Sequence, residues 1–228
     1  MMTDDLRSRA AAWLADDPDP ADRAELADLL GDASAEAAAD LADRFAGRLT
    51  FGTAGLRGAV GAGPNRMNRA TVTAATAALA AWLIARDPAA TQAGVVVGCD
   101  ARHRSTEFAA QAAHVLAGAG IRVHLLPDRQ PTPLLAFAVR YYRAAAGVMI
   151  TASHNPPGDN GYKLYLGDGA QIVPPADSDI ESAIAALGPL SDIPVAPPGS
   201  LLISRAGDEV ARAYLDAVSY THLTLPTN

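Results

Sequence analysis

Gly94-Val95-Val96-Val97-Gly98-Cys99 is a short apolar run that ends in a polar turn, Asp100 to Arg104, and leads into Ser105 to Ala117, where apolar residues recur at helical spacing. The same unit then repeats. Apolar Ile121 to Leu126 precedes helical Thr132 to Tyr142, and apolar Gly147 to Thr151 follows. Strands covered on both faces lose the polar alternation of half-exposed ones, and strands alternating with helices form parallel sheets. The pattern predicts an α/β fold: a three-layer domain on a mostly parallel mixed sheet. Working outward, Gly161 to Leu166 reads as a strand returning from the loop after Thr151, Asp177 to Leu187 as a helix, and Asp208 to Val218 as the last helix. Between them, Gly188 to Gly199 holds four prolines and reads as a linker or an ordered surface loop. Upstream, Asn68 is the expected N-cap of a long helix from Arg69 to Arg86, entered from a glycine-rich loop at Phe51 to Gly58. Three Ala-rich segments, Asp4 to Ala15, Ala21 to Leu30 and Ala35 to Phe45, predict a helical extension over residues 1–45 ahead of a domain at 46–218.

Composition bounds the function. A chain of 228 residues with 50% hydrophobic content builds a sizeable core. Its single cysteine, Cys99, excludes an intrachain disulfide and a cysteine metal cluster, and its apolar surroundings predict a buried thiol. No apolar run approaches the roughly 18 residues of a membrane span, and the N-terminus is acidic, so a cytoplasmic protein with no membrane and no nucleic-acid partner is expected. The net charge of -7 is uneven. Residues 1–45 carry twelve Asp or Glu against four Arg, whereas no acidic residue falls between Asp43 and Asp87. That interval holds Arg44, Arg48, Arg57, Arg66, Arg69 and Arg86, which suits either an anionic ligand or pairing with the acidic helices. The last ten residues, Ser219 to Asn228, contain no Ala, Gly, Arg or acidic residue and are expected to stand outside the domain, as a foreign tail or as a terminal strand or flexible end.

Three loops carry potential chemistry. Thr151-Ala152-Ser153-His154-Asn155-Pro156-Pro157 follows an apolar strand at the end where open α/β sheets place their ligands. Ser153 there is a candidate nucleophile, with His154 and Lys163 as proton carriers or phosphate partners; the composition also fits an ordinary turn in which Ser153 and Asn155 bond the backbone. Lys163 is the only lysine among eighteen Lys and Arg residues, and an ammonium, unlike a guanidinium, has a tunable pKa. Gly52-Thr53-Ala54-Gly55-Leu56-Arg57-Gly58 offers backbone amides and a guanidinium to an anion, without a Walker or dinucleotide pattern. In the third loop, Asp100 is expected to pair with Arg102 or Arg104, and Ser105 or Thr106 to cap the following helix, which is a structural role. His114 and His124 read as satisfied core or rim residues.

Taken together, Phe51-Gly52-Thr53-Ala54-Gly55-Leu56-Arg57-Gly58, Gly98-Cys99-Asp100-Ala101-Arg102 and Thr151-Ala152-Ser153-His154-Asn155-Pro156 resemble the α-D-phosphohexomutase family in identity, order and spacing. The passage from Phe51 to Thr76 is most similar to its phosphoglucomutase 2/phosphopentomutase branch. The resemblance implies an isomerase that moves a phosphoryl group within a sugar phosphate, through a phosphoserine and a sugar bisphosphate. Ser153 would be the phosphoserine and, through its phosphate, a ligand of Mg²⁺. His154 and Lys163 would be the acid/base and electrostatic partners, Arg57 would hold the phosphoryl group, and Thr53, Gly55 and Asn155 would help bind or position it. A sugar 1,6-bisphosphate would activate, and glucose or pentose phosphates would be substrates, with mannose phosphate as the variant. Family members are longer, and the Asp-Gly-Asp-x-Asp metal loop, the sugar-recognition loop and the distal phosphate loop have no counterpart in this sequence. The expectation is therefore a mutase fragment, inactive alone. A non-catalytic phosphosugar-binding protein is the alternative; a serine hydrolase built on Ser153 and His154 is disfavoured, since adjacent residues rarely present nucleophile to base and no Gly-x-Ser-x-Gly surrounds Ser153.

Overall fold

The apolar runs pair with one another in a computed structural model that describes residues 3–53 and 55–223. The chain runs α1 (Asp4–Asp16), α2 (Pro20–Gly31), α3 (Ala35–Arg44), β1 (Leu56–Ala59), α4 (Arg69–Arg86), α5 (Ala90–Ala93), β2 (Val95–Cys99), α6 (Ser105–Gly118), β3 (Val123–Leu125), α7 (Thr132–Tyr142), β4 (Ala146–Ile150), β5 (Asp159–Leu166), α8 (Ala176–Ala185), β6 (Ile203–Arg205) and α9 (Asp208–Leu223). The strands form one sheet in the order β1-β5-β4-β2-β3-β6. β4, β2, β3 and β6 are mutually parallel, and β5 runs against both of its neighbours.

Successive side chains along these strands enter opposite layers. Val95, Val97, Val148, Ile150, Tyr162 and Leu164 pack with Leu79 of α4, Phe108 of α6 and Ile180 of α8. Val96, Met149 and Tyr165 pack with Leu135 and Val139 of α7 and Val210 of α9. The expected three layers are present. Gly147 sets the spacing on the second face: a Cβ there would lie 2.4 Å from Cγ2 of Val139.

Local rules account for the helix starts. Thr3, Asp19 and Ser34 each accept a backbone N–H in the first turn of α1, α2 and α3. Asn68 caps α4 as expected, accepting from Thr71 N at 2.8 Å, and its amide also donates to the carbonyls of Gly61 and Gly63. The three N-terminal helices bury a separate cluster of Ala10, Leu26, Leu41 and Phe45 against Ala62. Arg44 bonds Glu25 at 2.7 Å and Asp40 at 3.0 Å, and Arg66 bonds Asp43 at 2.6 Å, so pairing with the acidic helices takes part of the arginine-rich interval. Arg48 instead binds Glu181 of α8, Arg69 binds Gln111, and Arg86 lies over Trp82.

Several expectations are corrected. Leu56 to Ala59, read as loop, is the strand β1, because pairing with β5 supplies what its own sequence lacks. α5 and β6 were not foreseen; β6 pairs with β3 through a three-residue register from Ile203↔Val123 to Arg205↔Leu125. The proline-rich stretch is an ordered surface loop tied down at both ends, by Asp16 to Leu190 N and by His114 to the Ala196 carbonyl. α9 continues past Val218 to Leu223, so the first residues after Ser219 are helical rather than strand; Thr224 to Asn228 lie outside the described residues. Among the described residues no helix is long and apolar enough to cross a membrane.

Gly147→Ala tests the α7 packing. Overpacking at this contact is expected to cost about 1–3 kcal/mol, seen as a lower urea midpoint at unchanged slope; wild-type stability would show that α7 yields without cost.

Candidate active site

The chain leaves β4 at Ile150 and returns on β5 at Asp159, so the Ser153 loop joins two antiparallel neighbours. Prolines at 156 and 157 supply no amide donors, and the loop has few backbone bonds of its own: Asn155 N to the Ala152 carbonyl and Asp159 N to the Pro156 carbonyl. Its shape comes from Arg102. One terminal nitrogen of this guanidinium donates to the carbonyls of Pro156 (2.8 Å) and Asp159 (3.1 Å), and the other to those of Ser153 (2.7 Å) and Asn155 (2.9 Å). Asp100 aims that guanidinium at 3.3 Å and also accepts from Thr151 Oγ1 (2.7 Å), Ser105 Oγ (2.8 Å) and Arg102 N (3.0 Å). Buried Asn160 closes the network on the His103 carbonyl and Ser105 Oγ.

Within this frame Ser153 is exposed and adopts the left-handed conformation, φ 58°, with its amide bonded to Thr151 Oγ1 at 2.9 Å. A non-glycine residue held there costs of order 1–3 kcal/mol, a cost met by the surrounding bonds and found most often at functional positions. Ser153 Oγ lies 3.4 Å from Nδ1 of His154, which is also exposed. Among the described residues no carboxylate orients that imidazole, so the third member of a hydrolytic triad is missing.

The β1–β5–β4 pairing brings the glycine-rich segment to this loop. Arg57 sits in register with Gly161, and its terminal nitrogen reaches Asn155 Oδ1 at 3.4 Å. Its Nε is buried with no hydrogen-bond partner among the described residues. Asn155 in turn donates to Asp159 Oδ2. Lys163, opposite Met149, is 8% exposed and makes no side-chain hydrogen bond or ion pair among the described residues. Burial lowers its pKa, nearby Arg57 lowers it further, and Asp100 opposes both. Two cations with unspent hydrogen-bonding capacity thus lie behind the serine loop. Gly55 makes this approach possible: it has φ 77°, and a Cβ would fall 1.9 Å from the Tyr162 carbonyl. Thr53 is exposed in the turn closed by Gly52 and Gly55.

Of the sequence-derived candidates, Ser153, His154, Asn155 and Arg57 come together, Lys163 lies within electrostatic reach of Arg57 and Asp100, and Thr53 and Gly55 shape the neighbouring turn. The third loop is corrected in detail. Neither Ser105 nor Thr106 caps α6, whose N-cap is Arg104 in the left-handed conformation, because Ser105 Oγ is committed to Asp100. Asp100 does pair with Arg102. Arg102 itself was missed as a loop-shaping residue; its signal was the Asp100-Ala101-Arg102 triplet at the end of a neighbouring strand, but four backbone carbonyls as its partners leave no trace in sequence. Cys99 is buried, and among the described residues no group of three His, Cys, Asp or Glu forms a metal site.

The family model of phosphoglucomutase/phosphomannomutase alpha/beta/alpha domain I matches residues 48–189. The chain is 39% identical over 227 residues to the phosphoribomutase of Saccharomyces cerevisiae, covering 94% of this chain and 35% of that protein. It is 46% identical over 155 residues to a phosphoglucomutase of Staphylococcus aureus, covering 67% and 28% respectively. A solved phosphoglucomutase/phosphomannomutase family protein from Burkholderia thailandensis superposes with a TM-score of 0.58 over 72% of this chain and 34% of that one; at 23% identity this bears on the fold alone. The chain spans about a third of the length of these relatives. The family match covers more than half of the chain and takes in all three loops that meet around Ser153, and the chain belongs to the phosphoglucomutase/phosphomannomutase family.

Proposed function

We propose that this chain is the phosphoserine-bearing part of a phosphosugar mutase, with Ser153 as the carrier. The observation that carries the reading is a serine held exposed and left-handed by a four-carbonyl arginine clamp, with Arg57 reaching its loop at Asn155 and Lys163 within electrostatic reach of Arg57, neither cation having an ion pair among the described residues. A phosphoserine brings about -1.5 to -2 of charge and three acceptor oxygens, which is what this setting lacks. In the forward half-reaction the Oγ–P bond of phosphoserine breaks, a sugar hydroxyl oxygen takes the phosphoryl group, and that hydroxyl's proton leaves. In the second half the bisphosphate returns its other phosphoryl group to Ser153. Little covalent work falls to the protein, so positioning and charge neutralisation supply most of the catalysis. Arg57 would neutralise the phosphoryl oxygens. Lys163, whose proton is already loosened by burial, and His154 would receive and return the proton.

Mg²⁺ belongs to the proposal only in part. The Ser153 phosphate would give it one oxygen, but the loop is lined by the cations Arg57 and Arg102, and among the described residues no acidic cluster completes an octahedral oxygen site. These residues do not make a magnesium site by themselves. The names of the relatives, a probable phosphomannomutase, a phosphoribomutase and a phosphoglucomutase, support mannose, pentose and glucose phosphates as the substrate class; a sugar 1,6-bisphosphate would be the activating phosphoryl source. A buried, unpaired thiol fits the proposed cytoplasmic location.

Intact mass of the complete gene product after incubation with glucose 1,6-bisphosphate should rise by one phosphoryl group, and Ser153→Ala should abolish the gain; a gain that persists in the mutant would assign the carrier elsewhere. Arg102→Lys keeps the charge and loses the fork. Phosphoryl uptake should then fall by at least about tenfold, since a hydrogen bond to a charged group contributes about 1.5–3 kcal/mol, and undiminished uptake would separate the clamp from the chemistry.

Because Lys163 is the only lysine, its side-chain NMR signal is unique. Its midpoint should lie below the ordinary 10.5 and rise when Ser153 is phosphorylated, since a nearby anion favours the ammonium. The unfolded lysine keeps its proton to higher pH, so this group raises stability as pH climbs from the native pKa toward 10.5. A midpoint indifferent to phosphorylation would remove Lys163 from the phosphate's surroundings.

A further inference from the structure

The acidic N-terminal helices reach the loop that carries Arg102. Asp19 and Asp22, at the start of α2, are 5% and 2% exposed, although carboxylates of this kind rarely leave water without a partner. Their partner is Arg104. Its guanidinium bonds Asp22 at 2.5 Å, also bonds Asp19, bonds Glu107 at 2.7 Å within α6, and lies 5.0 Å over the Phe108 ring. Arg104 is two residues from the Arg102 clamp and is itself left-handed, φ 60°. Between the two, the His103 carbonyl accepts from Asn160, the residue after the Ser153 loop. A continuous set of bonds therefore runs from α2 through residues 100–105 to the loop.

We propose that Asp19 and Asp22 are positioning residues: by fixing Arg104 they hold residues 100–105 in the conformation from which Arg102 shapes the Ser153 loop. The helical extension is in this sense part of the active-site scaffold. The physical argument is that the left-handed arginine at this helix start has only one local side-chain hydrogen-bonding partner among the described residues, the more exposed Glu107. Neither Ser105 nor Thr106 caps that helix end, and two buried carboxylates on another element supply the restraint. The relevance to phosphoryl transfer rests on the mutase reading; the structural coupling does not.

Amide hydrogen exchange of this chain tests the coupling. In Asp19→Asn/Asp22→Asn, the amides of Ser153, Asn155 and Asp159 should exchange about tenfold faster, as expected for residues sharing one hydrogen-bond network, while Val148 and Leu164 inside the sheet keep their rates. Arg104→Lys, which cannot bridge both carboxylates in the same way, should give a smaller change in the same amides, and it carries the test if the double variant fails to fold. Faster exchange in α2 with unchanged loop amides would overturn the proposal, as would uniform acceleration that includes Val148 and Leu164. In the complete gene product the double variant should lower kcat with KM unchanged; unchanged kcat would overturn the catalytic consequence. If the loop loosens as expected but Ser153 never accepts a phosphoryl group, the coupling stands and the mutase reading falls.

Discussion

Four carbonyl oxygens of the Ser153 loop point toward one place, and without a cation between them their dipoles would repel and the loop would open. The Arg102 guanidinium resolves this because its terminal N–H groups lie in one plane and diverge in pairs, so one side chain serves residues 153, 155, 156 and 159 at 2.7–3.1 Å. The prolines make the arrangement more necessary, since they supply no amide donors and preclude a regular hairpin. Asp100 keeps the guanidinium aimed and links it to Thr151, which in turn accepts from the Ser153 amide. An exposed, left-handed Ser153 is the consequence.

Sheet topology decides what faces that serine. β5 runs against its two neighbours, so the loop doubles back at the sheet's end and returns as a strand carrying Lys163 in register with Met149. The other edge of β5 takes β1, which places Arg57 beside Gly161, roughly a hundred residues away in sequence. Both cations are thereby drawn into a partly dry setting, where the charge of one makes the other's harder to keep. Among the described residues the Arg57 Nε and the Lys163 ammonium have no hydrogen-bond partner, a setting that fits the proposed phosphoserine dianion.

Charges pair more fully around the helical extension. Its surplus of carboxylates meets Arg44, Arg66 and Arg104. Exposed pairs of this kind contribute little, but the contact of Arg104 with Asp19 and Asp22 is buried, and removing one partner of a buried pair leaves an uncompensated charge. Charge distribution along the chain therefore has two outcomes: Arg44, Arg48, Arg66 and Arg104 are bound by the protein's own acids, whereas among the described residues Arg57 reaches only the Asn155 amide oxygen.

The sequence by itself determined the α/β alternation, the helical extension, the Asn68 cap and the candidate loops, because each depends on periodicity or on turn chemistry that acts over a few residues. It also singled out Lys163, through composition alone. Tertiary structure decided the rest. Leu56 to Ala59 is a strand only because β5 lies beside it, Ile203 to Arg205 only because β3 does, and neither segment has an apolar pattern that would announce it. Arg102 and Arg104, two residues apart in one polar turn, look alike in sequence, yet one clamps the serine loop and the other anchors α2. Their partners are backbone carbonyls and carboxylates brought close by folding, and a long-range contact of that kind depends on chain geometry rather than on any local pattern of residues.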